Sequence, residues 1–263
     1  MKKKHTKLVD CGSTVFVYDY ESKRDHNKFK FEVNTDGQIT NLKRLFIKNF
    51  INEHLNLNLS FTLHLEMSDL PNLQVILDEF TASLKKYFDL SAVKYLAVLE
   101  LPIEDESSHP KINIVTDIDY FQGTMSLMSF YKDLSEEDIL TKLQEQVNLL
   151  SSKEVFVDYD DTSMMMDTFV EILTTTLKSP LCTIKTRSVF KYNLKNPKIR
   201  RNEKAEDHIK KRGLLSFPYQ ESAEIYDKRG GFINVNVYSK NINNSDYPSS
   251  IFEDQEDILM FNN

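Results

Sequence analysis

Phosphate-binding chemistry is the first that this sequence suggests, because its basic side chains are concentrated between Thr183 and Gly213. Eleven basic and three acidic residues give this segment a charge of +8 in a chain of net charge −7. The basic residues are Lys185, Arg187, Lys191, Lys195, Lys198, Arg200, Arg201, Lys204, Lys210, Lys211 and Arg212. Phosphate binding depends on local cation density, so an acidic protein with one cationic segment can hold DNA in a salt-dependent manner. The alternative is a solvated loop that balances an acidic body of charge −15.

Two aromatic residues, Phe190 and Tyr192, stand between cations in the stretch FKYNLKNP (190–197). Rings interleaved with basic side chains suit a nucleic-acid strand whose bases stack while its phosphates pair. The same pattern also fits an edge strand whose outward cations oppose aggregation. The two interpretations are compatible, so both are kept.

Several other chemistries lack their motifs. The six glycines form no GxxxxGK[ST] or GxGxxG loop, and GxSxG, HExxH and paired CxxC are absent too. The six histidines are dispersed, and Cys11 and Cys182 lie far apart, as suits a reducing compartment. We therefore expect no metal and no cofactor.

The sequence also bears on location. No apolar run approaches the roughly 18 residues of a membrane span, so no membrane association is expected. Polar residues follow the basic start, which is not typical of a secretory signal. We expect a cytoplasmic protein, and the abundance of Lys, Asn, Asp and Ile is typical of AT-rich bacteria and their phages.

The hydrophobic pattern predicts the elements that position these residues. A β-hairpin is predicted over Lys7–Glu21 and a helix over Asn41–His54. Residues Leu57–Glu66 alternate strictly between apolar and polar, which predicts a half-buried strand. The later elements are a helix with its apolar stripe from Leu73 to Phe88, strands Val93–Leu101 and Lys111–Asp117, a helix from Ser135 to Leu150, strand Glu154–Tyr159, helix Ser163–Leu177 and strand Phe232–Tyr238.

The element order after the first hairpin and helix is β-α-β-β-α-β-α. This order predicts an α+β fold, an antiparallel sheet with helices packed on one face. We place residues 1–240 in a single domain. Residues 241–263 are rich in Asn, Ser and Asp and are predicted to be a flexible acidic tail.

The segments DCGSTVFVYDY, LSFTLHLE, KYLAVLELP, KINIVTD and FKYNLKNP follow one another in a characteristic order. In that order and in hydrophobic pattern, about Leu8 to Lys198 resembles the rolling-circle replication initiators of Gram-positive plasmids and phages, the Rep group of HUH endonucleases. The resemblance implies a Rep-like domain with a ferredoxin-like core. It also implies single-stranded or hairpin DNA as a partner.

In the Rep family, a strand carries a His-hydrophobic-His pair that holds a divalent metal, and a helix presents a tyrosine that attacks the phosphorus. The matching positions here are Lys111, Asn113 and Phe169, with Glu100 as the one retained acid. Shifting the register to His109 recovers a single histidine. A protonated lysine cannot bind a metal and phenylalanine has no nucleophile. The resemblance therefore implies a catalytically inactive DNA-binding protein of a phage or mobile element, acting in DNA replication or its control.

Two other interpretations stay open. One is a phage or mobile-element protein that binds and inhibits a host replication or defence protein through its acidic body. The other is an active nicking endonuclease with a rearranged site drawn from Glu100, Asp117, Asp119 and Tyr159.

A last motif lies in the tail, where Gln255, Ile258, Leu259 and Phe261 are spaced as in peptides that dock into the bacterial replication sliding clamp. Such peptides place a few apolar side chains in a preformed pocket. The clamp is therefore a second candidate partner. The alternative is that the apolar end of the tail packs back onto the body of the protein.

Overall fold

The computed structural model describes residues 3–22, 35–51, 57–102, 109–121, 124, 125, 127, 135–182, 189–201, 205–227 and 231–240. In chain order, the elements are β1 (Lys3–Asp10), β2 (Thr14–Ser22), α1 (Thr35–Asn49), β3 (Leu57–His64), α2 (Leu73–Tyr87), β4 (Tyr95–Glu100), β5 (Lys111–Asp119), α3 (Glu136–Asn148), β6 (Val155–Asp161), α4 (Thr162–Lys178), β7 (Phe190–Tyr192), β8 (Lys198–Arg201), α5 (Ala205–Arg212), β9 (Tyr219–Asp227) and β10 (Gly231–Ser239). The α+β class with antiparallel pairing is confirmed.

The chain divides into two compact units. Unit 1 combines residues 1–54 with 195–263, and unit 2 consists of residues 55–194. The sequence had suggested a single domain over 1–240. The division follows from strand pairing, because each unit has its own five-stranded sheet and no described strand belongs to both.

Unit 1 contains sheet 1, with strand order β8-β1-β2-β10-β9. The predicted N-terminal hairpin is confirmed: β1 pairs with β2, and Gly12 supplies the positive φ of 100° that the tight turn requires. Leu8 lies on the face that packs against Leu214 and the half-buried Ile209 of α5. Tyr18 lies on the opposite face, where Arg44 of α1 stacks over its ring and donates a hydrogen bond to its hydroxyl. Sheet 1 therefore has a helix on each face.

Unit 2 contains sheet 2, with strand order β6-β3-β5-β4-β7. The alternation predicted for β3 is confirmed from Leu59 onward, since Leu59, Phe61 and Leu63 are fully buried while Ser60, Thr62 and His64 are half-buried. Asn58 departs from the pattern, because it is buried as well. The ring of Phe61 meets that of Phe80 on α2 edge to face, with centroids 5.5 Å apart. The apolar period-2 pattern thus places one sheet face in the core.

The element order predicted for unit 2 is confirmed, and α3 begins with the expected capping box. Asp138 N donates to Ser135 Oγ and Ser135 N donates to Asp138 Oδ2, both at 3.2 Å. Helix α1 begins at Thr35, earlier than predicted, and residues 52–54 of the predicted helix lie outside the described residues. Strand β9 was not predicted at all. No helix in the described part of the chain is long and apolar enough to span a membrane.

The outer edge of β6 is closed by side chains. The backbone N–H groups of alternate residues from Val155 to Asp161 point away from β3, and each donates to a side-chain oxygen. The acceptors are Asn148 at 2.7 Å and Gln144 at 3.4 Å, both on α3, and Asp158 at 2.8 Å and Asp160 at 2.7 Å within β6. Satisfied edge donors offer no template for another strand.

Candidate functional site

The structure splits the basic segment between the two units. Lys185, Arg187 and Lys204 lie outside the described residues. Lys191 belongs to unit 2, whereas Lys195, Lys198, Arg200, Arg201, Lys210, Lys211 and Arg212 belong to unit 1. The eleven cations therefore do not form one continuous surface element. Most of those that the structure describes lie in unit 1, which holds the candidate surface.

Within unit 1, strand register brings part of β8 to the side of sheet 1 that carries α5. Arg200 lies opposite Leu8 and Lys198 lies opposite Asp10. Directly opposite residues of an antiparallel pair share a face, and Leu8 packs against the α5 side. We call Lys198, Arg200, Lys210, Lys211 and Arg212 the basic face of unit 1, and all five residues are exposed.

The basic face is anchored by an ion pair between α5 and β1. Arg212 Nη1 lies 2.8 Å from Asp10 Oδ2, and Asp10 Oδ1 accepts a hydrogen bond of 2.9 Å from Gly12 N. Burial alone raises the pKa of Asp10, but the Gly12 N–H and the Arg212 guanidinium outweigh it and hold that pKa below its usual value. The carboxylate is thus ionised at neutral pH and neutralises the Arg212 guanidinium.

Helix α5 places its cations where its own dipole favours them. Lys210, Lys211 and Arg212 form its last turn, next to the negative end of the helix. Gly213 follows with φ of 61°, and its N–H donates to the carbonyl of Lys210 at 3.1 Å. A left-handed glycine ends the helix, so the three cations sit at a fixed corner of the unit.

The two predicted stacking residues lie on β7 at one edge of sheet 2. The rings of Phe190 and Tyr192 are stacked, with centroids 5.9 Å apart and planes 21° from parallel, and both are half-buried. They lie opposite Val98 and Leu96 of β4. Asn193 fixes the end of the strand, since its Oδ1 accepts from Tyr95 N at 2.7 Å and its Nδ2 donates to Val93 O at 2.8 Å.

The positions that match Rep metal ligands lie together on one face of sheet 2. Lys111 is directly opposite Glu100 on β4 and His64 on β3. Asn113 lies two residues along β5 on the same face. Its Nδ2 donates to Glu100 Oε2 at 2.8 Å, and its Oδ1 accepts from Thr62 Oγ1 at 2.8 Å.

This arrangement supports a structural hydrogen-bond network. Both polar atoms of the Asn113 amide are used, and the Glu100 carboxylate accepts from that amide. His64 contacts Glu154, with Nδ1 and Oε2 3.2 Å apart. His109 contacts Glu66 in the same way, with Nδ1 and Oε2 3.3 Å apart. Across the described ranges, no group of three or more His, Cys, Asp or Glu side chains could hold a metal ion.

The structure does not bring Glu100 together with the other residues of the alternative nuclease site. Glu100 is opposite Lys111, whereas Asp117 is six residues further along β5, about 20 Å away at the rise of a strand. Asp119 is opposite Asn58 at the same far end. Asp117 accepts a 2.8 Å hydrogen bond from Lys94 N, and burial raises its pKa despite Lys94.

The two candidate nucleophile positions are both packed. Phe169 is buried in α4, and the ring of Tyr159 stacks on Tyr120 with centroids 4.1 Å apart.

The Cys11 thiol is fully buried, and burial raises its pKa to about 12, so it stays protonated at neutral pH.

The tail residues Gln255, Ile258, Leu259 and Phe261 lie outside the described residues. Sequence reasoning missed the role of Asp10, because nothing in its local pattern indicates that a distant arginine on α5 would meet it.

Comparison with protein-family models, with curated proteins and with solved structures found no match to this chain.

Proposed function

We propose that this chain is a Rep-like DNA-binding protein of a phage or mobile element that acts in DNA replication or its control without cutting DNA. The observation that carries the proposal is the basic face of unit 1. Four of its cations, Lys198, Arg200, Lys210 and Lys211, come from two adjacent elements on one side of sheet 1. Such a cluster supplies the local cation density on which phosphate binding depends.

The aromatic pair on β7 favours single-stranded or hairpin DNA over continuous duplex. The Phe190 and Tyr192 rings are stacked on each other and half-exposed, so an unpaired base can add to the stack. Lys191 lies between them in sequence and therefore on the opposite face of β7, where it adds a cation to the same sheet edge. Bases inside a duplex have no free face to offer.

The absence of cutting in this proposal rests on ligand chemistry. Asn113 holds Glu100 and Thr62 by hydrogen bonds at the position where a Rep protein carries a histidine. Phe169 is a buried hydrocarbon side chain in α4. Neither position supplies a metal ligand or a nucleophile of the family type.

The proposal is tested by fluorescence anisotropy with labelled single-stranded, hairpin and duplex oligonucleotides at low salt. Lys210→Glu/Lys211→Glu should weaken binding by about tenfold or more, because two phosphate contacts become repulsions. Lys85→Glu/Lys86→Glu is the matched control: these lysines are also exposed neighbours in the last turn of a helix, α2. Equal losses in both double variants, or no binding by the wild type, would contradict the proposal.

Cutting is tested separately. The wild type is incubated with single-stranded and hairpin DNA and manganese, and products are separated under denaturing conditions. The proposal predicts intact DNA and no covalent adduct. An adduct that disappears in Tyr159→Phe would show instead that a rearranged nuclease site operates.

A further inference from the structure

The two sheets have four outer strands, and three of them are protected against pairing with another chain. The outward N–H groups of β6 are satisfied by side chains, as described above. Strand β7 has three residues, and β8 has four, of which Lys198, Arg200 and Arg201 are cations. Short length, edge cations and covered donors are the usual means by which proteins block edge-to-edge association.

In the part of the chain that the structure describes, strand β9 has none of these three protections. It runs for nine residues, Tyr219–Asp227, and contains no lysine, arginine or proline. It pairs along its whole length with β10, which is its one partner strand among the described residues. Its charged residues are the three carboxylates Glu221, Glu224 and Asp227. A long, regular edge without lysine, arginine or proline is a template for strand addition.

The alternation of hydrogen bonds identifies the outward groups of β9. Lys240 N donates to Ser13 O, which continues the β10–β2 register, so β10 residues of even number bond β2. The odd-numbered residues of β10 therefore bond β9, through the odd-numbered residues of that strand. The N–H and C=O groups of Gln220, Ser222, Glu224 and Tyr226 are left pointing away from the sheet.

We propose that β9 pairs antiparallel with β9 of a second copy of this chain, which makes the two copies of sheet 1 one continuous ten-stranded sheet. The strand is self-complementary when the two-fold axis passes between the Ala223 residues of the two copies. Gln220 then faces Tyr226 and Ser222 faces Glu224, so every outward N–H finds a carbonyl. No carboxylate lies directly opposite another in this register, which avoids repulsion between directly opposite like charges.

This pairing has a geometric consequence. The two-fold axis of an antiparallel edge pairing is perpendicular to the sheet, so equivalent faces of the two copies point the same way. The basic faces of the two copies therefore lie on one side of the joined sheet. The dimer itself does not depend on the proposed DNA function.

The test is the solution mass of the full chain by light scattering across a range of protein concentrations. The wild type should shift from 30.7 kDa toward twice that mass. Glu224→Pro removes an outward N–H that β10 does not use, and edge strands tolerate proline there. It should weaken dimerisation by about tenfold or more, since the two-fold axis doubles the loss.

Three controls make the result specific. Glu224→Ala keeps the N–H and should remain dimeric, which separates loss of the carboxylate from loss of the hydrogen bond. Glu224→Lys adds an edge cation without a backbone change and should also weaken the dimer. Ala223→Pro removes an N–H that bonds β10 and should instead lower the melting temperature.

Three outcomes would overturn the proposal. One is a wild type that stays at 30.7 kDa at every concentration. Another is a dimer whose affinity is unchanged in Glu224→Pro and Glu224→Lys while both variants melt like the wild type. Association with a different protein through β9, without self-association, would also count against it.

Discussion

Arg212 Nη1 lies 2.8 Å from Asp10 Oδ2 and joins the last turn of α5 to the end of β1. The Asp10 side chain is 12% exposed, and its second oxygen is held by Gly12 N. One carboxylate thus fixes a β-turn and a helix terminus together. This contact fixes the last turn of α5, in which Lys210 and Lys211 also lie.

Asp10→Asn should lower the free energy of unfolding by about 1 to 2 kcal/mol at pH 7, because the ion pair with Arg212 becomes a hydrogen bond to an uncharged acceptor. Urea denaturation measures this change. An unchanged midpoint would show that α5 is held by the apolar contacts of Leu214 and Ile209 alone. Thr6→Val is a control on the same strand that removes a more exposed hydrogen bond, to Asp19.

The same contact predicts the sign of a pH effect. The folded-state pKa of Asp10 is lowered, so its contribution to stability is present above its unfolded pKa of about 3.9 and is lost as pH falls through the lower folded value. The stability gap between wild type and Asp10→Asn should be constant from pH 5 to 7 and shrink below about pH 4. A gap that widened in acid would contradict this assignment.

Asn113→Ala should destabilise unit 2 by about 1 to 3 kcal/mol, because it removes the donor to Glu100 and the acceptor for Thr62 inside a nearly buried site. Thr62→Val removes one member and should cost less. Chemical denaturation of both variants and the double variant gives the coupling between the two positions. Additive losses would mean that the three side chains do not form a network.

Asn148→Ala should expose the edge of β6. The variant loses the 2.7 Å acceptor of Val155 N, and we expect about 1 kcal/mol lower stability with faster aggregation near the unfolding midpoint. Gln146→Ala, on the same helix, is the matched control and should behave like the wild type. Light scattering during thermal unfolding distinguishes the two.

Much of unit 2 could be predicted from sequence because its signals are local. The strict alternation from Leu57 and the Ser135 capping box each depend on neighbouring residues, and both are confirmed. Strand β9 was missed because YQESAEIYD mixes polar and apolar residues on both faces, as suits an edge strand. Its assignment depends on pairing with β10.

The division into two units could not be predicted in the same way. The strands of sheet 1 come from segments that precede and follow unit 2 in the sequence. Hydrophobic periodicity does not predict which strands pair. The basic segment was predicted as one surface because it is continuous in sequence. In the fold, Lys191 and Lys198 belong to different units.

The salt dependence of DNA binding tests the central claim most directly. Anisotropy titrations of a single-stranded oligonucleotide at several salt concentrations give a slope of log K against log salt, which counts neutralised phosphates. For the wild type we predict a slope of about −3, from about four contacts. Lys210→Glu/Lys211→Glu should flatten it by about 1 or more, while Lys85→Glu/Lys86→Glu leaves it unchanged. A slope near zero, or one equally reduced in both variants, would contradict binding through the basic face of unit 1.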